Sequence, residues 1–568
     1  ETWAPGSAPT TGLTPFDEGL YTRASHNPDA YAAAQALNQA AQTGKLDDNT
    51  LAQLEKRTDD ADFATALMYA LGAAQFRELL KKSTDLRDQA NAQRLQAALG
   101  KALGTASPRL THHWRAELTA DLTGGRHYAL SRALMHGKFD AAFLLDIARK
   151  IEAQDRKPWQ PGEEFFPGAF QDSLIGVLTA LSRHPEAAQD FFAHDPAILK
   201  RLMTDRATAD QGKALSAALL AATTTFRDHA GSPANPSRGY LSAKLASEVI
   251  YLESQRLYEG KSLALTPSTL GHIFVSYIRD VNRAANSGDD TELQVSVEDH
   301  AILPGREDWG ARFDREALRN VMTEVFKEDA NAFPFVVGAQ TIWASKLFDA
   351  SAAQLAAGHG SLSFRMAARE VGSGFGLITD SAGIAQVTKG QELDEAQERN
   401  VKIFAALVNT GLAIPQNWHW PIVAGVAGAW TGLIEDAAKG QAAEESARKA
   451  NSTVDETEFL MHQLAAQALL NHGVFGSADP PAKTHPWASL SDLRPGDDPR
   501  EAPNNFLKDD GKTLLTREEM LASRDADGNT VAYEAYLRWL NEGPAGETWA
   551  DVQSKLEIGY IKSFRKFR

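Results

Sequence analysis

Apolar residues recur three and four positions apart along almost the whole chain, the spacing that lines them up on one face of an α-helix. Leu174, Ile175, Val177, Leu178 and Leu181 share one such face. The rhythm returns in "FATALMYALGAAQFRELLKK" (63–82), "AKLASEVIYLESQRLYEG" (243–260), "LGHIFVSYIRDVNRAA" (270–285) and "EFLMHQLAAQALL" (458–470). Strand-type alternation is confined to "LQVSV" (293–297). The pattern predicts an all-α protein.

Stretches dense in Pro, Gly or Ser interrupt the rhythm at 106–113, 156–168, 229–239, 302–310 and 477–487. Boundaries near 160, 300 and 455 follow. They give an N-terminal helical domain (1–160), a second helical domain (161–300), a long-helix domain (301–455) and a C-terminal helical segment (456–568). A single core stops growing near roughly 250–300 residues, so 568 residues call for about three or four packed units. The expected architecture is an elongated multi-subdomain helical array with a long-helix hairpin region and a short C-terminal helix-loop-helix.

One small unit recurs: "SHNPDA" (25–30), "SRHPEA" (182–187) and, more weakly, "AHDPAI" (193–198). Proline suits the first helical position because its missing N–H would have no partner there. The preceding Asn27, His184 or Asp195 can cap, and an acid after the proline favours the positive helix end. His184 and Glu186 therefore read as a helix junction; nothing in the sequence supplies them with a nucleophile or an orienting third group.

Composition adds limits. The chain is 43% hydrophobic and 23% charged, with mean hydropathy -0.34, as a folded soluble protein requires. A net charge of -16 and a pI near 5.5 repel phosphate backbones, so no nucleic-acid partner is expected. Lys562, Arg565, Lys566 and Arg568 form the one basic cluster, at the end of the chain. With no cysteine, disulfides, thiolate catalysis and Cys-based metal sites are excluded. The first residue is Glu1 rather than Met, which suggests that an N-terminal stretch has been removed.

No phosphate loop, dinucleotide fingerprint, Gly-x-Ser-x-Gly elbow or His-Glu-x-x-His is present. "VGSGFG" (371–376) follows a helical pattern and reads as a close-packing or flexible turn. His113 with Glu117, and Glu458 with His462, are spaced i,i+4, as two ligands on one helix face would be. Were both pairs to meet, they would make a metal-dependent hydrolase.

The best single motif is "SRDADGNTVAYE" (523–534), set between helical patterns. A calcium loop wants oxygen ligands at positions 1, 3, 5, 7, 9 and 12 and Gly at 6. Ser523, Asp525, Asp527, Gly528, Asn529 and Glu534 fall at 1, 3, 5, 6, 7 and 12, so calcium is the one cofactor the sequence suggests. The departures are Ser523 in place of Asp and Thr530 at position 8.

Two apolar segments, 403–415 and 421–434, are each too short to span a bilayer and are split by "QNWHW". Ala424, Gly428 and Gly432 offer a small-residue face for helix pairing. The segments predict a buried hairpin, or alternatively one that contacts membrane through Trp418, Trp420 and Trp430.

"DSLIGVLTALSRHPEAAQDFF", "GKALSAALLAATT", "LGHIFVSYIRDVNRA" and "FPFVVGAQTIWASKLFD", in that order, resemble an actinobacterial family of helical proteins without assigned activity. "DADFATALMYALGAAQFRELL" and "LMHGKFDAAFLLDIARKI" look like its N-terminal half, so the resemblance covers about residues 15–440. Such proteins are similar to partners or neighbours of small WXG-type helical hairpins and of the ESX (type VII) secretion apparatus. The resemblance implies a non-enzymatic, secreted or envelope-associated interaction scaffold with protein partners, cytoplasmic before export. It carries over no catalytic residues. This chain departs from the pattern in lacking a visible Trp-x-Gly hairpin and a toxin domain after 455; delivery or membrane insertion for a polymorphic toxin is the alternative.

Overall fold

A computed structural model describes residues 27–43, 46–83, 89–123, 125–157, 172–286, 309–329, 331–388, 443–474, 504–508, 513–525, 527–542 and 546–563. The protein is all-α: the described residues hold 22 α-helices, one 3-10 turn and a two-stranded sheet pairing Gly231–Ser232 with Asn235–Pro236. That sheet lies in one of the Pro/Gly-rich breaks. "LQVSV", both apolar segments of 403–434 and the Arg565–Arg568 end fall outside the described residues, as do the boundaries expected near 160 and 300. The boundary near 455 falls within the helix Ala443–Asn471. Among the described residues no helix is long and apolar enough to cross a membrane.

The chain forms two compact units, one of 1–245 with 264–266 and one of 246–263 with 267–568. The first stacks short helices around Leu99, Leu103, Leu130, Phe143, Ile147, Leu178, Phe191 and Leu219, all fully buried. Aspartates start many of its helices. Asp47, Asp60, Asp140, Asp172 and Asp195 each accept a backbone N–H one to three residues into the helix that follows, satisfying a donor the helix cannot. Of the face read at 174–181, Leu174, Val177, Leu178 and Leu181 are buried and Ile175 is partly exposed.

Two segments of unbroken apolar rhythm are each two helices. Ala61–Leu71 and Ala73–Ser83 are divided at Gly72, whose φ of 71° is left-handed. Pro267–Ser276 and Ile278–Asn286 are divided at Tyr277. Spacing shows which residues face the core but not where the axis turns.

In the second unit the helix Leu362–Thr388 is central, packed by Ile278–Asn286, Arg315–Glu328, Ala332–Ala356, Ala443–Asn471 and Gly546–Ser563. Every residue from Val371 to Ala382 is buried. A helix enclosed on all sides needs small residues where neighbours come closest. "VGSGFG" supplies them: it is helical, not a turn, and a Cβ at Gly372 would stand 2.3 Å from the Leu556 carbonyl oxygen.

Candidate functional site

His184 begins the helix Pro185–Ala193, with Pro185 at its first position as expected. Its side chain does not cap that helix, contrary to the sequence reading. The ring lies beside the turn before the helix Ala141–Asp155, and Nε2 accepts the Phe139 N–H at 3.2 Å. An accepting Nε2 means a neutral ring. Burial pushes its pKa down and the Arg183 charge pushes the same way, against the smaller pull of Asp140. Glu186 pairs with Arg238 at 2.8 Å, and Arg238 also holds Asp190. The other two copies of the unit cap as read: Asn27 accepts the Ala30 N–H at 3.1 Å and Asp195 the Ala197 N–H at 3.0 Å. The difference is reach, because an imidazole held by a neighbouring helix cannot also fold back on its own.

The expected helix-loop-helix surrounds the 523–534 motif. Thr516 and Glu519 form a reciprocal capping box on Arg517–Ala522, and the exit helix is Val531–Glu542. Gly528 has φ 87°, the conformation a glycine at position 6 serves. Asp525 turns into the loop: Oδ1 accepts the N–H groups of Asp527 at 3.0 Å and Asn529 at 2.8 Å, and Oδ2 accepts Asn529 Nδ2 at 2.9 Å. The Asn529 side chain and these amides hold its carboxyl below the usual range. Ser523 ends the entering helix, and Asp527, Asn529 and Glu534 are exposed. With one carboxylate organising the loop, exchange of the Asn529 amide is expected to be slow in the parent and fast in Asp525→Ala without added metal. Equal rates by hydrogen exchange would contradict that role.

His113 and Glu117 lie exposed on the helix His112–Leu118 of the first unit, whereas Glu458 and His462 belong to the second. Among the described residues no three or more His, Cys, Asp or Glu side chains are grouped to hold a metal ion.

What the structure brings together instead are two polar centres. In the second unit Asn282 and Gln340, both fully buried, exchange hydrogen bonds: Asn282 Nδ2 donates to Gln340 Oε1 at 2.6 Å and Gln340 Nε2 to Asn282 Oδ1 at 2.8 Å. Asn282 Nδ2 also donates to the Ile278 carbonyl at 2.8 Å. Gly374 lies against the pair; a Cβ there would stand 2.0 Å from Asn282 Oδ1. Nearby, Ser373 Oγ donates to the Arg369 carbonyl at 2.9 Å, and Arg319 faces Asp380 at 3.9 Å. Burial pushes the Glu370 carboxyl up to about 7, against the charges of Arg283 and Arg279, with Asp280 adding to the rise. A signal for this centre was present. Ile278, Val281, Asn282 and Ala285 share one helical stripe, and an amide on an apolar stripe needs a buried partner.

In the first unit Arg206 joins Asp155, at the end of Ala141–Asp155, to Asp172, the cap of Ser173–Ser182, at 3.1 and 2.9 Å. Arg201 also holds Asp155, and it meets Glu152 at 3.0 Å. Asp172 accepts the N–H groups of Leu174 at 3.0 Å and Ala209 at 2.8 Å. Burial would raise the Asp155 carboxyl, but the hydrogen bonds and charges of Arg206 and Arg201 outweigh it and hold it below the usual range.

The fold and these centres define an all-α protein whose helices are fastened to one another by buried polar side chains. The chain belongs to DUF6571, a family of unknown function, which it matches over residues 134–519. The match takes in both polar centres and stops short of the 523–534 loop. No curated protein and no solved structure matches the chain.

Proposed function

We propose that this protein is a non-catalytic helical scaffold that binds protein partners. The partner class is a small WXG-type helical hairpin, and the setting is export through an ESX (type VII) apparatus to the envelope or the medium. The observation that carries the binding role is a set of exposed apolar side chains on the second unit. Leu362 and Met366, one helical turn apart, are 61% and 58% exposed, and Ile558 on the adjoining helix Gly546–Ser563 is 48% exposed. Apolar side chains spaced by one turn are what an amphipathic partner helix packs against. The setting rests on the resemblance of the segments between about 15 and 440.

The test is co-elution in size-exclusion chromatography with a purified WXG-type hairpin protein. A stable complex is expected for the parent, and a loss of about tenfold or more in affinity for Leu362→Asp with Met366→Asp. Separate elution of the parent would overturn the proposal, and undiminished binding by the double variant would overturn the assigned surface.

A further inference from the structure

His462 is the histidine of the Ala443–Asn471 helix that faces the C-terminal helix Gly546–Ser563. Its ring meets the indole of Trp549 edge-on, with centroids 5.9 Å apart and planes at 72°. Trp549 is buried, as are Val552, Leu556 and Tyr560 further along that helix. One turn before His462, Phe459 packs on Tyr533 and Tyr536. Nε2 of His462 is fully buried, with no hydrogen-bond partner among the described residues.

The charged groups on the surrounding helices are mostly engaged elsewhere. Asp349 is bound by His472, Asp551 by Arg365, and Asp380 faces Arg319. Glu370 stands among Arg283, Arg279 and Asp280. Arg517 lies over the Phe459 ring. Among the described residues Glu557 pulls on the His462 charge, and it also accepts a hydrogen bond from Gln553.

We propose that His462 is an acid-sensitive latch for the C-terminal helix: as the neutral imidazole it packs against Trp549, and protonation weakens docking of Gly546–Ser563. An imidazolium needs a partner for each N–H group, and against Trp549 the buried Nε2 finds none among the described residues. His472, in the turn just beyond this helix, is the contrast, because Asp349 Oδ1 lies 2.8 Å from its Nε2.

Burial lowers the docked His462 pKa from its ordinary value, and the opposing pull of Glu557 does not restore it. Above about pH 6.5 neither the docked nor the released state holds the proton, and docking is at full strength. Below that pH the released state protonates first. The ratio of docked to released helix then falls about tenfold per pH unit until the docked-state pKa is reached.

Hydrogen exchange over residues 546–563, corrected for intrinsic rates, tests this between pH 7.5 and 5.5. Protection in the parent is expected to fall across that range by up to about tenfold, most of it in the last unit. It should stay constant in His462→Phe, which keeps a ring against Trp549, and in His462→Gln, which provides a neutral polar substitute should the Phe variant fail to fold. Unchanged protection in the parent, or the same fall in a folded variant, would overturn the latch.

Discussion

Gly374→Ala is expected to destabilise the second unit by about 3 kcal/mol. The added methyl group would stand 2.0 Å from Asn282 Oδ1 and 2.6 Å from Gln340 Nε2, so it cannot enter without separating the amides. Leaving buried amide groups unsatisfied costs about 1–3 kcal/mol, and overpacking a filled core costs about 1–3 more. The helix propensity of alanine over glycine offsets about 1 kcal/mol. Gly271→Ala is the internal control. A Cβ there finds nothing nearer than 3.7 Å, so that variant should match the parent or exceed it by up to about 1 kcal/mol. Urea unfolding followed by tryptophan fluorescence separates the two. A Gly374→Ala protein as stable as the parent would remove the amide pair from its place in holding this unit.

Asp155→Ala carries the second large effect, about 2–3 kcal/mol in the first unit. Removing one partner from a buried charge network is costlier than never having built it, because the remaining charges stay desolvated. Arg206 keeps Asp172 and Arg201 keeps Glu152, and both arginines retain some solvent, which holds the loss below that of an isolated buried pair. The pH dependence has a definite sign. Asp155 titrates below its unfolded value, so its contribution is full above about pH 4 and is lost as pH falls through the folded-state value. Parent and variant stabilities should therefore converge in acid; a constant gap down to pH 2 would contradict the assignment.

The sequence revealed the helices because helix packing writes its period directly into the apolar residues. Aspartate caps were legible for the same local reason, since cap and recipient N–H lie within three residues. The pairings were not. Asn282 stands out on its apolar stripe, but nothing local points to Gln340, 58 residues on. Asp155 and Arg206, 51 residues apart, look like ordinary surface charges until the helices stack. The 523–534 motif announced a helix-loop-helix correctly, whereas the direction Asp525 turns depended on the loop closing. His184 was legible as a junction, and its bond to Phe139, 45 residues away, was not.

The most direct measurement of the proposed role is hydrogen exchange on the whole protein with and without a saturating WXG-type hairpin partner. Slower exchange in the first turns of Leu362–Thr388 and around Ile558, with the first unit unaffected, is the predicted result. No change anywhere, or protection confined to the first unit, would contradict a scaffold that binds its partner through this surface.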